Sequence, residues 1–203
     1  FPQQGDFPQY PAILENNGDG TYSVITIKNQ TSKFIAPLAT EFADFNKDGK
    51  LDIFIGAGGR DADPFPGGQN TILMSNPDGT YTDSPELLPQ INNFTHDVTI
   101  ADINGDGMDD LLVVGGGHKD ESYAPDSPSI SSISLYLGSE NGLIKQTSTL
   151  DNRTLLDLGD MTAHYGTHGD IDGDGIPEFF LFGNGKNKET GENLGWPVPI
   201  LID

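Results

Sequence analysis

The chain has 203 residues, 34% of them hydrophobic, with 26 Gly, 14 Pro and no Cys. It carries 31 Asp+Glu against 10 Lys+Arg, a formal charge of −21, which would repel nucleic acid and anionic membrane surfaces and favours cations as partners. The missing Cys excludes a disulfide framework and thiolate zinc sites, no apolar run approaches the ~20 residues of a membrane span, and the apolar residues are clustered in short runs, unlike a disordered acidic chain.

In chain order, the first signal is a hairpin. Ile13-Leu-Glu-Asn-Asn-Gly-Asp-Gly-Thr-Tyr22 returns as Ile72-Leu-Met-Ser-Asn-Pro-Asp-Gly-Thr-Tyr81, with a looser copy at Leu135–Ile144. Asp-Gly or Asn-Gly between apolar runs is a strong tight-turn signal, so Asp19 and Asp78 read as turn residues.

The second signal is an acidic loop in three copies. They are Asp44-Phe-Asn-Lys-Asp-Gly-Lys-Leu-Asp52, Asp102-Ile-Asn-Gly-Asp-Gly-Met-Asp-Asp110 and Asp170-Ile-Asp-Gly-Asp-Gly-Ile-Pro-Glu178. They begin 58 and then 68 residues apart, and each leads into an apolar run that ends in glycine. The first full unit predicts strands at Ala36–Ala43, Asp52–Ala57, Asn70–Ser75 and Thr80–Asp83. The second predicts Thr95–Ala101, Asp110–Gly115, Ser131–Leu137 and Leu143–Thr149. Four short strands per ~40–50 residues make a β-propeller blade. The strand after each loop is apolar at consecutive positions, as a strand packed between two neighbouring blades requires.

The fold class expected is therefore all-β, with about three to three and a half blades of four-stranded antiparallel sheet. We divide the chain into a terminal hairpin (1–30), a blade (31–90), a second blade (91–152) and an incomplete blade (153–203) whose third strand lies at Pro197–Asp203. A ring needs at least ~4 blades, and the chain begins at Phe1. We expect a piece of a longer propeller, or copies that close a ring together.

The acidic loops have the chemistry of calcium sites. Calcium takes 6–8 oxygen ligands. A tight loop brings positions 1, 3 and 5 toward one centre, position 7 offers its carbonyl, and position 9 closes the set. Those positions are Asp44, Asn46, Asp48, Lys50 and Asp52; Asp102, Asn104, Asp106, Met108 and Asp110; and Asp170, Asp172, Asp174, Ile176 and Glu178. All donors are hard oxygens, which disfavours zinc and copper. An EF-hand needs Glu at position 12, and here that position is Ile55, Val113 or Leu181. About three structural Ca²⁺ ions are expected.

The units Asp44–Gly56, Asp102–Gly115 and Asp170–Gly183, with the hairpin Asn76–Asp83, resemble the FG-GAP/VCBS repeat of integrin α-subunit propellers and many bacterial secreted proteins. The resemblance implies that the loop lies between the first and second strands of a blade and binds Ca²⁺ through the fifteen positions above. It also implies a secreted or surface-exposed propeller, most often seven-bladed, serving adhesion, carbohydrate or ligand binding, or scaffolding. It does not imply one activity.

Outside the loops, His96 and His164 occupy one repeat position, six residues before Asp102 and Asp170. With His168 they are candidates for a ligand or metal site on the channel-lining strand, although a histidine bonding a neighbouring blade is the commoner arrangement. The long segment Gly58–Gln69 offers Arg60, Asp61, Asp63 and Phe65 for a sugar or peptide, and Tyr123 lies in the second unit's counterpart. No nucleophile elbow, zincin motif or P-loop is present, so no enzyme is expected. The leading reading is a calcium-binding extracellular module with a glycan or protein partner. The alternatives are a structural protomer assembling through open blade edges into a ring or fibre, and part of a polysaccharide-active propeller enzyme.

Overall fold

The computed structural model describes residues 8–59, 67–88, 92–115, 133–139, 143–146, 149–150, 153–154, 162–186, 193–194 and 200–202. Regular structure among them is strand, apart from one 3-10 turn at Pro85–Leu87. No helix among the described residues is long and apolar enough to cross a membrane.

The chain opens with the hairpin β1 (Ile13–Asn16) and β2 (Tyr22–Ile25), followed by β3 (Ile27–Lys28). The first blade contains β4 (Pro37–Ala43), β5 (Asp52–Ala57), β7 (Thr71–Ser75) and β8 (Tyr81–Asp83), with the short β6 (Gly68–Gln69) between β5 and β7. These pair in the order β4-β5-β7-β8, all antiparallel. Strand β3 adds to the outer edge in parallel with β8, so the N-terminal segment joins this blade through β3 as well as packing on it.

Next come β9 (Asn92–Asn93), β10 (Thr95–Ala101), β11 (Asp110–Gly115), β12 (Ile133–Leu137) and β13 (Ile144–Gln146). The order β10-β11-β12-β13 is again a four-stranded antiparallel blade, and β6 pairs with β9 between the two blades. Of the expected fourth strand Leu143–Thr149, β13 covers Ile144–Gln146, and β14 (Thr149–Leu150) pairs antiparallel with β15 (Arg153–Thr154). The last sheet is built on β16 (Thr162–Gly169) and β17 (Glu178–Lys186). Strands β18 (Asn193–Leu194) and β19 (Ile200–Ile202) both pair with β17.

The core lies between the sheets, and strand pleat explains it. Successive side chains point to opposite faces. Phe54 therefore joins Val98, Leu111, Val113 and Tyr136 between the first two blades, while Ile53 and Ile55 pack with Leu73, Ile13 and Ile27 toward the N-terminal hairpin. In β11, Leu111 and Val113 face the first blade, while Leu112 and Val114 meet Phe179 and Leu181 of the last sheet. All six residues of β5 and of β11 are buried, as expected for strands enclosed on both faces.

The first strands of the three sheets lie side by side, with β10 between β4 and β16. Each has a register shift at the same place: between Pro37 and Ala39, Thr95 and Asp97, and Ala163 and Tyr165. The residue skipped by the ladder is Leu38, His96 or His164. A bulge of this kind re-aims the side chain it carries.

Candidate metal centre

Each acidic loop joins the first strand of a blade to the second. Its shape comes from short side chains that capture their own backbone. Asp44 accepts the N–H groups of Asp48 and Gly49 at 2.9 and 2.8 Å, and Asp102 accepts that of Gly107 at 2.7 Å. Asp170 accepts those of Gly173 and Gly175 at 2.7 and 3.1 Å. The third position repeats the pattern two residues on: Asn46 with Asp48, Asn104 with Asp106, and Asp172 with Asp174. The fifth position does so again, with Asp48, Asp106 and Asp174 holding the N–H of Lys50, Met108 and Ile176. These successive turns place positions 1, 3 and 5 within one tight loop.

Two positions per loop adopt the left-handed region. The sixth is glycine throughout, with φ of 84°, 78° and 90° at Gly49, Gly107 and Gly175. The fourth does the same, with φ of 56° at Lys47, 73° at Gly105 and 82° at Gly173. The sequence reading found the sixth position and missed the fourth, where Gly105 and Gly173 carried the signal and Lys47 obscured it.

The ninth position turns under the loop. Asp52 and Asp110 are fully buried and Glu178 nearly so. The two Asp52 oxygens accept the N–H of Phe45 at 3.1 Å and of Ser75 at 2.7 Å. Asp110 does the same for Ile103 at 2.8 Å and Gly138 at 2.7 Å, and Glu178 accepts Ile171 N–H at 2.7 Å. Burial pushes the carboxyls of Asp52 and Asp110 up, Asp110 to about 6, against these amide bonds. The residue read as a closing ligand thus also ties loop to blade.

Two observations test the loops as a cation site. One carboxylate oxygen each of Asp170, Asp172 and Asp174 lies within 4.8 Å of the others. Oxygens around a calcium ion with bonds of 2.3–2.6 Å are separated by at most about 4.6–5.2 Å, so this spacing fits. In the second loop, Asp102 Oδ1 is buried without a hydrogen-bond donor, a cost that a bound cation would remove. In the first two loops the third position is Asn, whose Nδ2 donates to the fifth carboxylate: Asn46 to Asp48 at 3.5 Å and Asn104 to Asp106 at 2.9 Å. The third loop has a third carboxylate there instead.

The histidines stay apart from these loops. His96 and His164 stack across the seam between β10 and β16, with centroids 4.5 Å apart and planes at 22°, and Phe94 meets His96 edge-on at 5.1 Å. His168 Nδ1 lies 2.7 Å from Thr99 Oγ1 of the neighbouring blade. The three form no three-ligand cluster among the described residues; each instead contacts the adjacent blade. Arg60, Asp61, Asp63, Phe65 and Tyr123 lie outside the described residues. Asp19 and Asp78 hold the hairpin turns, each accepting a threonine N–H two residues on.

Sequence reasoning also missed two buried polar anchors. Asn70 Oδ1 accepts Ala57 N–H at 2.8 Å and the Thr95 hydroxyl at 3.0 Å, joining the first blade to the second. Asp83 accepts the N–H groups of Thr31 and Ser32 and the hydroxyls of Ser32 and Thr71.

Two family models match the chain: the FG-GAP repeat over residues 37–73 and the FG-GAP-like repeat over residues 60–113. No curated protein matches it. The matched stretch holds the first two acidic loops, and the third repeats their turn bonds from the first, third and fifth positions.

Proposed function

We propose that this chain, an FG-GAP repeat protein over residues 37–113, is a calcium-binding module of a secreted or cell-surface β-propeller serving adhesion, ligand or carbohydrate binding, or scaffolding. The carrying observation is the convergence of Asp170, Asp172 and Asp174 in a loop whose backbone pattern occurs three times. The ions would be held by positions 1, 3, 5, 7 and 9 of each loop, fifteen residues from Asp44 to Glu178. Calcium would supply positive charge that offsets the crowded carboxylates. The chain's own part is to preform the turn through the Asx bonds and glycines, and to anchor it through the buried ninth residue.

Calorimetric titration of the calcium-free chain tests this, with thermal unfolding in calcium and in EDTA. Binding of about three ions and a lower Tm in EDTA are expected. A chain that takes up no calcium, with the same Tm in both conditions, removes the reading.

A second reading, a protomer that assembles end to end, is favoured by apolar side chains at both ends of the arc. Leu14, Tyr22 and Val24 on the hairpin are 61%, 62% and 72% exposed, and Tyr165 on β16 is 60% exposed. Light scattering across a concentration series separates the two: the monomer mass of 21.8 kDa at all concentrations removes the assembly.

A further inference from the structure

The fourth loop position is glycine in two copies and Lys47 in the other. Lys47 holds a left-handed backbone, φ 56°, which any residue with a Cβ adopts at a cost. Its side chain leaves its own loop. Lys47 Nζ lies 3.6 Å from the point where a Cβ on Gly107 would stand. Gly107 is the sixth residue of the second loop, and its N–H is held by Asp102 Oδ2. The ammonium therefore stands over the turn that carries Asp102 and Asp106. Among the described residues the ion pair is Lys28 with Asp78, so Lys47 sits there as an exposed charge committed to no single carboxylate.

We propose that Lys47 is a built-in counter-charge through which the first blade sets the cation affinity of the second blade's loop. This rests on the calcium reading above. With no ion present, the ammonium offsets the charge of Asp102 and Asp106. When a divalent ion enters, the same ammonium repels it. The second loop therefore binds more weakly than its own ligands would dictate. The corresponding residue of the second loop is Gly105, so that loop sends no such charge to the third.

The test uses the whole chain labelled with nitrogen-15 and titrated with calcium chloride. The amides of Gly49, Gly107 and Gly175 report the three loops separately, because each donates to the first Asp of its own loop. Wild type is compared with K47M, K47R and K47G. A unit charge about 6–12 Å from a divalent ion is worth about three- to tenfold in affinity even in a water-like dielectric. K47M and K47G are expected to move the Gly107 midpoint to about three- to tenfold lower calcium, and to leave Gly175 in place. K47R keeps the charge and the wild-type midpoint. Raising the salt concentration shrinks the K47M effect, since exposed charges are screened. K47G also relieves the left-handed backbone, so the charge can be removed even if K47M folds poorly. A Gly107 midpoint unchanged in K47M and K47G, or a K47R shift as large as theirs, overturns the proposal. If none of the three glycines responds to calcium in wild type, the calcium reading fails, and this inference falls with it.

Discussion

Asp110 Oδ1 accepts the N–H of Gly138, 28 residues further along the chain, at 2.7 Å, while Asp110 Oδ2 accepts that of Ile103 at 2.8 Å. One buried carboxylate thus pins the acidic loop to the end of β12. Asp52 makes the same pair of bonds to Ser75 and Phe45. Replacing Asp110 by Ala strands two backbone amides, each worth about 1–3 kcal/mol when buried without a partner. D110A and D52A are each expected to lose about 2–5 kcal/mol in EDTA, where no ion contributes. Chemical denaturation measures it. A loss below about 1 kcal/mol would mean that the anchor is replaceable.

Lys47 gives an opposite prediction. Its left-handed backbone costs about 1–2 kcal/mol, partly returned by the extra freedom glycine gives the unfolded chain. In saturating calcium the ammonium also faces a like charge. K47G is therefore expected to raise stability by about 0.5–1 kcal/mol, read as a higher Tm. A lower Tm would count against strain at this residue.

Asp83 links stability to pH. Burial raises its pKa, but the bonds from Ser32, Thr31 and Thr71 outweigh burial and hold the carboxyl below the usual carboxylate range. Since the folded value lies below the unfolded one, the ionised group stabilises the fold above the unfolded pKa. That contribution is lost as pH falls from about 4 through the folded value. D83N is expected to cost about 1.5–3 kcal/mol at pH 7, with the gap from wild type narrowing below pH 4. Denaturation curves at pH 7 and pH 3 test this. A gap equally wide at both pH values would show that shape, not charge, holds Thr31 and Ser32.

The loops should not be equivalent. The third has carboxylates at its first, third and fifth positions, while Asn46 and Asn104 already satisfy part of the charge in the other two. Affinity in oxygen cages follows ligand charge, so the third loop is expected to fill first. D172N should weaken it on the order of tenfold while leaving the first two midpoints unchanged. Following Gly175 against Gly49 and Gly107 during calcium titration decides this. Simultaneous filling of all three loops in wild type would contradict it.

The fold was legible where the cue is local. The limits of β5, β10 and β11 follow from an Asp loop abutting an apolar run, and the observed strands match the expected ones. The turns at Asp19 and Asp78 follow from Asp-Gly. What escaped depends on partners far along the chain. Asn70 reads locally as the first residue of a strand, yet it lies just outside β7 and bonds Thr95 on the next blade. Asp83 reads as a strand end, and its 31–32 partners arrive only when β3 docks alongside β8. The bulges at Leu38, His96 and His164 leave no compositional trace, because a skipped residue in an extended strand has no turn chemistry of its own. In the candidate site, the side chains of positions 1, 3 and 5 were legible from spacing. The downward turn of the ninth residue was not, because the amides it serves include Ser75 at the end of β7 and Gly138 just past β12, far along the chain.

Strand β11 carries one more consequence. Its alternating side chains, Leu111 and Val113 against Leu112 and Val114, are all aliphatic and of similar size. Slipping the strand by one residue would exchange the two cores without exposing any apolar surface, so hydrophobicity alone cannot tell front from back. Two residues break this near-symmetry: Asp110, fixed by its two amide bonds at one end, and Gly115 at the other, where a Cβ would stand 2.8 Å from the Phe94 carbonyl oxygen. Parity is therefore guarded at the two ends of the strand rather than along it: insertions can accumulate in the loops, but an odd insertion between Asp110 and Gly115 would set a carboxylate or a side chain against a place that does not take it.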